Sequence, residues 1–251
     1  MRYLRIIARL DIKAPYLIKG IQLEGVRKLG IPNHYALKYY NENVDEIYYE
    51  DVVASLYNRN SISKIVDETS KDIFVPITVG GGLRSTDDMK KVLNSGADKI
   101  SINTEALKRP EIISEASKKF GSSTIVLSIQ AKKKSSGWEA YFDNGREHSY
   151  RDVVEWAQEG EKLGAGEILI TSVDNEGTQK GFDIELIKSV INKVNIPVIA
   201  SGGMGKLEDI ESLVKKTKVD TIAIAHCLHY NKFSIREIKK FCKEKKIKVR
   251  L

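Results

Sequence analysis

The chain has 251 residues, 41% of them hydrophobic and 30% charged, with a formal net charge of +7. This composition fits one soluble globular domain over 1–251 and excludes a fibrous or disordered chain. No apolar run reaches about 18 residues and no signal-type segment follows Met1, so no membrane span, membrane partner or secretion signal is expected. Two cysteines, Cys227 and Cys242, fit a reducing cytoplasm. No spacing of Cys or His suggests a metal, and no cofactor is expected.

In chain order, β-branched apolar runs at 5–11, 46–52, 74–79, 99–103, 124–130, 167–171, 197–201 and 221–225 read as buried parallel strands. Amphipathic stretches at 33–43, 60–71, 85–95, 109–119, 151–164, 183–193, 206–217 and 234–245 interleave with them as helices. Eight βα units in 251 residues predict an α/β fold, the (β/α)8 TIM barrel, with functional residues at the C-terminal strand ends. The barrel is predicted to consist of two similar halves. Pro76-Ile-Thr-Val-Gly-Gly-Gly82 returns as Pro197-Val-Ile-Ala-Ser-Gly-Gly203 at an offset of 121, and Ala97-Asp-Lys-Ile-Ser-Ile102 meets Val219-Asp-Thr-Ile-Ala-Ile224 at 122. Both glycine clusters follow a strand and precede a helix, an arrangement that lets backbone N–H groups approach an anion.

The barrel rule places Asp11 at the functional rim, as a general base or as a turn cap. The segment 14–30 is too long for a simple βα turn and predicts a lid or disorder, with Lys19 available to cover an anion. Arg5, Glu46, Lys99 and Glu167 open strands at the opposite face, where converging charges would be paired, since unpaired buried charge is costly. Glu50, Asp51 and Ser55 follow the second strand. Asn103 and Thr104, after the fourth, can reach a phosphate by amide and hydroxyl. Gln130 ends the fifth strand where the first half has Asp11, and an amide is neither acid nor base. Gly137 to Gly145 predicts a small hairpin turning at Asn144-Gly145. The polar loop from Thr171 to Thr178, with Gly203, Ala225 and His226, predicts a second phosphate site, although His226 also reads as an ordinary rim histidine. The basic run from Arg236 carries Ile238, Phe241 and Cys242 at helical spacing, so it reads as a last barrel helix with a solvated face and not as a nucleic-acid contact. The basic balance suits a phosphorylated small molecule or an acidic partner surface.

These motifs resemble the cyclase subunit of imidazole glycerol phosphate synthase, the HisF family. The resemblance covers nearly the whole chain through Arg5-Ile-Ile-Ala-x-Leu-Asp11-x-Lys13, Lys19-Gly20, Thr78-Val-Gly-Gly-Gly82, Lys99-x-Ser-Ile-Asn103-Thr104, Glu167, Thr171-Ser172, Asp174, Gly177-Thr178 and Ala200-Ser-Gly-Gly203. It implies a heterodimer in which a glutaminase subunit releases ammonia. The ammonia crosses the barrel and attacks a bisphosphorylated ribulosyl aminoimidazole, giving imidazole glycerol phosphate and an aminoimidazole carboxamide ribotide. It further implies that Asp11 is a catalytic carboxylate and that Arg5, Glu46, Lys99 and Glu167 form the ammonia gate. Phosphate contacts are implied at Gly82, Asn103 and Thr104, and at Gly177, Gly203 and Ala225. Three positions depart from the family: Gln130 replaces its second catalytic Asp, Glu176 an Asp, and His226 a small hydroxyl residue. Paralogues of this kind resemble subunits that supply ammonia to a sugar amidotransferase in surface-glycan synthesis, which is the alternative reading. A non-catalytic assembly scaffold is a further one, and a blocked barrel axis would mark it.

Overall fold

The computed structural model describes residues 3–54 and 62–250. Eight parallel strands close on themselves in the order β1 (Arg5–Lys13), β4 (Glu46–Asp51), β5 (Ile77–Gly80), β6 (Lys99–Ile102), β7 (Ile125–Lys133), β10 (Glu167–Ser172), β11 (Val198–Ser201) and β12 (Thr221–Ile224), with β12 pairing back onto β1. The expected (β/α)8 TIM barrel is thereby realised. Alternation along each strand divides the apolar residues into two sets. Ile6, Ala8, Leu10 and Ile12 face outward into the shell packed by the helices, while Ile7, Tyr48, Val126, Leu169, Ile199 and Ala223 form a separate layer around the axis.

Helices lie at Ile62–Ser70, Thr86–Asn94, Glu111–Phe120, Val153–Leu163, Ile184–Ile191, Glu208–Lys216 and Ile235–Glu244, after a first one at Pro32–Asn41. The start of the expected helix over 60–71, and Ser55, fall outside the described residues. Local chemistry explains several starts. Ser85 accepts from the Asp88 N–H at 3.2 Å, Asp152 from Val154 at 2.8 Å, and Ser234 forms a capping box with Glu237. The basic C-terminal run is a barrel helix, with Ile238, Phe241 and Cys242 buried and Lys239 paired to Asp45 at 2.9 Å. Among the described residues no helix is long and apolar enough to cross a membrane.

Each half inserts an antiparallel hairpin after its first strand. The second, β8 (Trp138–Phe142) and β9 (Glu147–Asp152), pairs onto β7 and turns through Asp143, Asn144 and Gly145, all at positive φ, as the Asn-Gly signal predicts. The first corrects the expectation of a lid loop or disorder: 14–30 forms β2 (Tyr16–Ile21) and β3 (Glu24–Gly30), with β2 paired onto β1. Its turn uses Gln22 at φ 53 and Leu23 at φ 65, residues without a turn signature, and the Gln22 N–H bonds the Glu176 carbonyl at 2.8 Å.

Candidate active site at the C-terminal rim of the barrel

The odd-numbered residues of β1 point along the axis and set its chemistry level by level. At the strand-start end Arg5 bonds Glu46 at 3.1 Å and Glu167 at 2.9 Å, while Lys99 bonds the same two carboxylates at 3.0 and 3.2 Å. Thr78 donates to Glu46 at 2.5 Å. All four sequence-selected residues of this face therefore join one alternating ring across the barrel floor. Above it lies the apolar layer containing Tyr48, and above that Arg9, only 1% exposed, reaches from β1 across the interior to β10 and β11. Its guanidinium donates to Thr171 Oγ1 at 2.8 Å, Ser201 Oγ at 3.4 Å and Asp11 at 3.0 Å, and sits 5.7 Å from the Tyr48 ring centroid.

At the rim, Asp11 also accepts from Lys19 at 2.6 Å, and Lys19 in turn contacts Glu176. Burial alone would raise the Asp11 pKa, but the Lys19 ammonium and the Arg9 guanidinium outweigh it and hold the carboxyl well below the usual range. Lys19 is 2% exposed, pairs with two carboxylates and also lines the rim cavities beside Asp11 and His226. Glu176, at a departed position, is its second partner.

A run of cavities follows the rim. One, of about 170 Å³, is lined by Glu50, Gly82, Asn103, Thr104, Lys108 and Gln130, among others, and so gathers the first expected phosphate set. It shares Val52 and Asn144 with a small cavity beside Asp11 and Lys19, which shares Lys19 and Gly20 with an open cleft reaching His226. That cleft adjoins a pocket of about 10 Å³ formed by Glu176, Gly177, Gly203, Ala225 and His226, the second expected set. Thr171 is absent from this lining because its hydroxyl holds Arg9. His226 contacts Gln179 at 3.0 Å, and burial, then Lys19, lower its pKa. Asn103 donates to the Tyr141 carbonyl at 3.1 Å and Asn144 to that of Leu23 at 3.1 Å, leaving their own carbonyl oxygens, like that of Gln130, without a protein partner.

The glycine loops repeat in three dimensions. Gly81 (φ 98) and Gly202 (φ 95) press against the preceding strand's end, where a Cβ would meet the Asp51 and Ser172 carbonyl oxygens at 2.2 and 2.7 Å. Sequence reasoning passed over Arg9, Tyr48 and the special standing of Glu50. The signal was a charge, a phenol and a carboxylate at alternating, axis-facing positions of strands that otherwise read as plain buried runs.

Fold and rim together define a barrel enzyme of the duplicated-half type, with its working end at the strand C-termini. A family model described as histidine biosynthesis protein matches residues 5–234, and the chain belongs to that family. It is similar to the imidazole glycerol phosphate synthase subunit HisF of Legionella pneumophila, 60% identical over 210 residues that cover 83% of this chain and 99% of that protein. Proteins of the same name from Dehalococcoides mccartyi and Prochlorococcus marinus are 42% and 44% identical over 247 and 250 residues, 98% of each chain.

Proposed function

We propose that the chain is the cyclase subunit of a glutamine-dependent imidazole glycerol phosphate synthase, working in the cytoplasm. It uses ammonia from a glutaminase partner to convert a bisphosphorylated ribulosyl aminoimidazole to imidazole glycerol phosphate and an aminoimidazole carboxamide ribotide. The observation that carries this reading is the run of rim cavities from Gly82 past Asp11 to Gly203, which suits a long substrate with an anion at each end. The name shared by relatives matched over 98% of their length supports it and favours it over ammonia supply to a sugar amidotransferase.

In this reading Gly82, Asn103 and Thr104 hold one phosphate and Gly177, Gly203, Ala225 and His226 the other. Asp11, kept ionised by Lys19 and Arg9, stabilises positive charge on the incoming nitrogen. The glutaminase docks on the strand-start face, where Tyr3 and Phe74 are 58% and 78% exposed around the ring of Arg5, Glu46, Lys99 and Glu167. Ammonia entering there passes the ring and then the Tyr48 and Arg9 levels, so Arg9 must yield for it to reach the rim. The test is turnover of the ribulosyl substrate by the purified chain, first with ammonium and then with glutamine and co-expressed glutaminase. Product in both supports the reading, product with ammonium alone refutes the passage, and none in either refutes the cyclase.

A further inference from the structure

Gln130 leaves the rim without a second titratable carboxylate on β7, yet the cavity it lines contains one from another strand. Glu50 stands next to Asp11 in the β1–β4 register, is 8% exposed, and accepts a hydrogen bond from the Tyr48 hydroxyl. The single Tyr48 proton goes to this carboxylate, so Ser101, 2.8 Å away, completes the phenol's bonding. Gly80 makes the room: a Cβ there would lie 2.6 Å from Glu50 Oε2 and 3.1 Å from the Tyr48 oxygen. Unlike Asp11, Glu50 has no salt bridge among the described residues, and it shares the 170 Å³ cavity with Gln130, whose side-chain oxygen has no protein partner.

We propose that Glu50 is the general acid–base of the ammonia-dependent step, a catalytic residue supplied by β4 where β7 carries an amide. The proposal rests on the cyclase reading and assigns it a proton carrier. As the ammonia nitrogen adds to the ribulosyl carbonyl carbon, the C–N bond forms and the carbonyl π pair moves to oxygen. One N–H proton passes to ionised Glu50, which then delivers it to that oxygen, giving a carbinolamine and restoring the carboxylate. Groups facing Glu50 are Arg9 and Asp11 from β1, Tyr48 and Asp51 from β4, Ser101 from β6 and Gln130 from β7, with Arg84, Glu105 and Lys108 around the same cavity. Burial pushes its carboxyl up to about 7 against the pull of Arg9 and the Tyr48 hydrogen bond, whereas Asp11 is held far below. A proton carrier works best with a pKa near the working pH.

The test compares wild type, Glu50→Gln and Glu50→Asp in ammonium-dependent turnover of the ribulosyl substrate across the neutral pH range, at fixed free ammonia. Calorimetry of substrate binding and an infrared carboxyl titration of wild type run alongside. In Glu50→Gln, kcat should fall about 10²–10⁴-fold with KM within a few-fold, the wild-type limb near pH 7 should vanish, and Glu50→Asp should recover part of the rate. A Glu50→Gln chain that keeps kcat within a few-fold and retains the limb overturns the proposal alone. So does a wild-type carboxyl spectrum with nothing titrating near pH 7, whether or not the variants fold. An inert wild type overturns the cyclase reading and this assignment with it.

Discussion

The two half-barrels repeat one backbone plan and carry different chemistry. Both place a hairpin after their first strand, a glutamate at the start of their second and a left-handed glycine against the preceding strand's end. Where the first half has Arg9, Asp11 and Glu50, however, the second has Ser128, Gln130 and Thr171. At these strand positions charge is one-sided, with Glu176 on the following loop the second half's buried rim carboxylate, and Thr171 and Ser201 of the second half serve as neutral acceptors for the cation of the first. The pockets at the two glycine loops differ as well, about 170 Å³ beside Gly82 and about 10 Å³ beside Gly203, the latter adjoining an open cleft of about 660 Å³ at His226. The duplicated backbone fixes where a rim side chain stands, while the identity of that side chain decides whether the position holds, charges or moves a proton.

The largest expected effect comes from cutting the tie between the halves. Arg9→Met removes the buried salt bridge to Asp11, which keeps Lys19, together with the hydrogen bonds to Thr171 and Ser201, and should cost about 3–5 kcal/mol in urea unfolding. A loss below about 1 kcal/mol would mean that the halves do not depend on this link. Next is the pH response of Glu50. Its folded-state pKa lies above the ordinary 4.5, so its contribution is most favourable below that value and is lost as pH rises to about 7. Relative to wild type, Glu50→Gln should therefore gain about 2–3 kcal/mol between those pH values, read from denaturation midpoints. Asp11 has the opposite sign: its depressed pKa adds stability above the ordinary 3.8, and that stability disappears as pH falls through the acid range.

Smaller effects sharpen the backbone comparison. Gly81→Ala should cost about 2–3 kcal/mol and Gly202→Ala about 1–2 kcal/mol, because both demand positive φ but the added Cβ meets a closer carbonyl in the first half. Equal losses would show that torsional strain alone decides. Least is Ser85→Ala, about 1 kcal/mol, which removes a side-chain cap from Thr86–Asn94. Its counterpart Glu208–Lys216 starts at Leu207 without a side-chain cap, so Leu207→Ala should leave that end's hydrogen bonding unchanged.

The barrel was legible because eight β-branched runs and their intervening amphipathic stretches carry opposite periodicities, and the glycine repeat marked the duplication. The two hairpins show where legibility stops. Asn144-Gly145 announces its turn, whereas Gln22-Leu23 adopts the same left-handed region without a signature and β3 is almost wholly exposed, so no alternation marks it. At the site, Asp11 and the glycine loops were readable from their place at strand ends. Arg9 and Glu50 were not, because a single charge inside an apolar strand acquires meaning only when barrel closure brings β1 against the side chains of β10 and β11. The ion pairs of Lys19 were not legible either: the β1–β2 hairpin brings it to Asp11, and the barrel brings Glu176 to it.

The measurement that bears most directly on the one-sided rim is ammonium-dependent turnover of the ribulosyl substrate by wild type, Asp11→Asn and Gln130→Asp under identical conditions. If the first half carries the chemistry, wild type turns over, Asp11→Asn falls about 10²–10⁴-fold, and Gln130→Asp stays within about tenfold of wild type. An inert wild type that gains activity in Gln130→Asp would contradict it, since the reaction would then require a carboxylate from the second half.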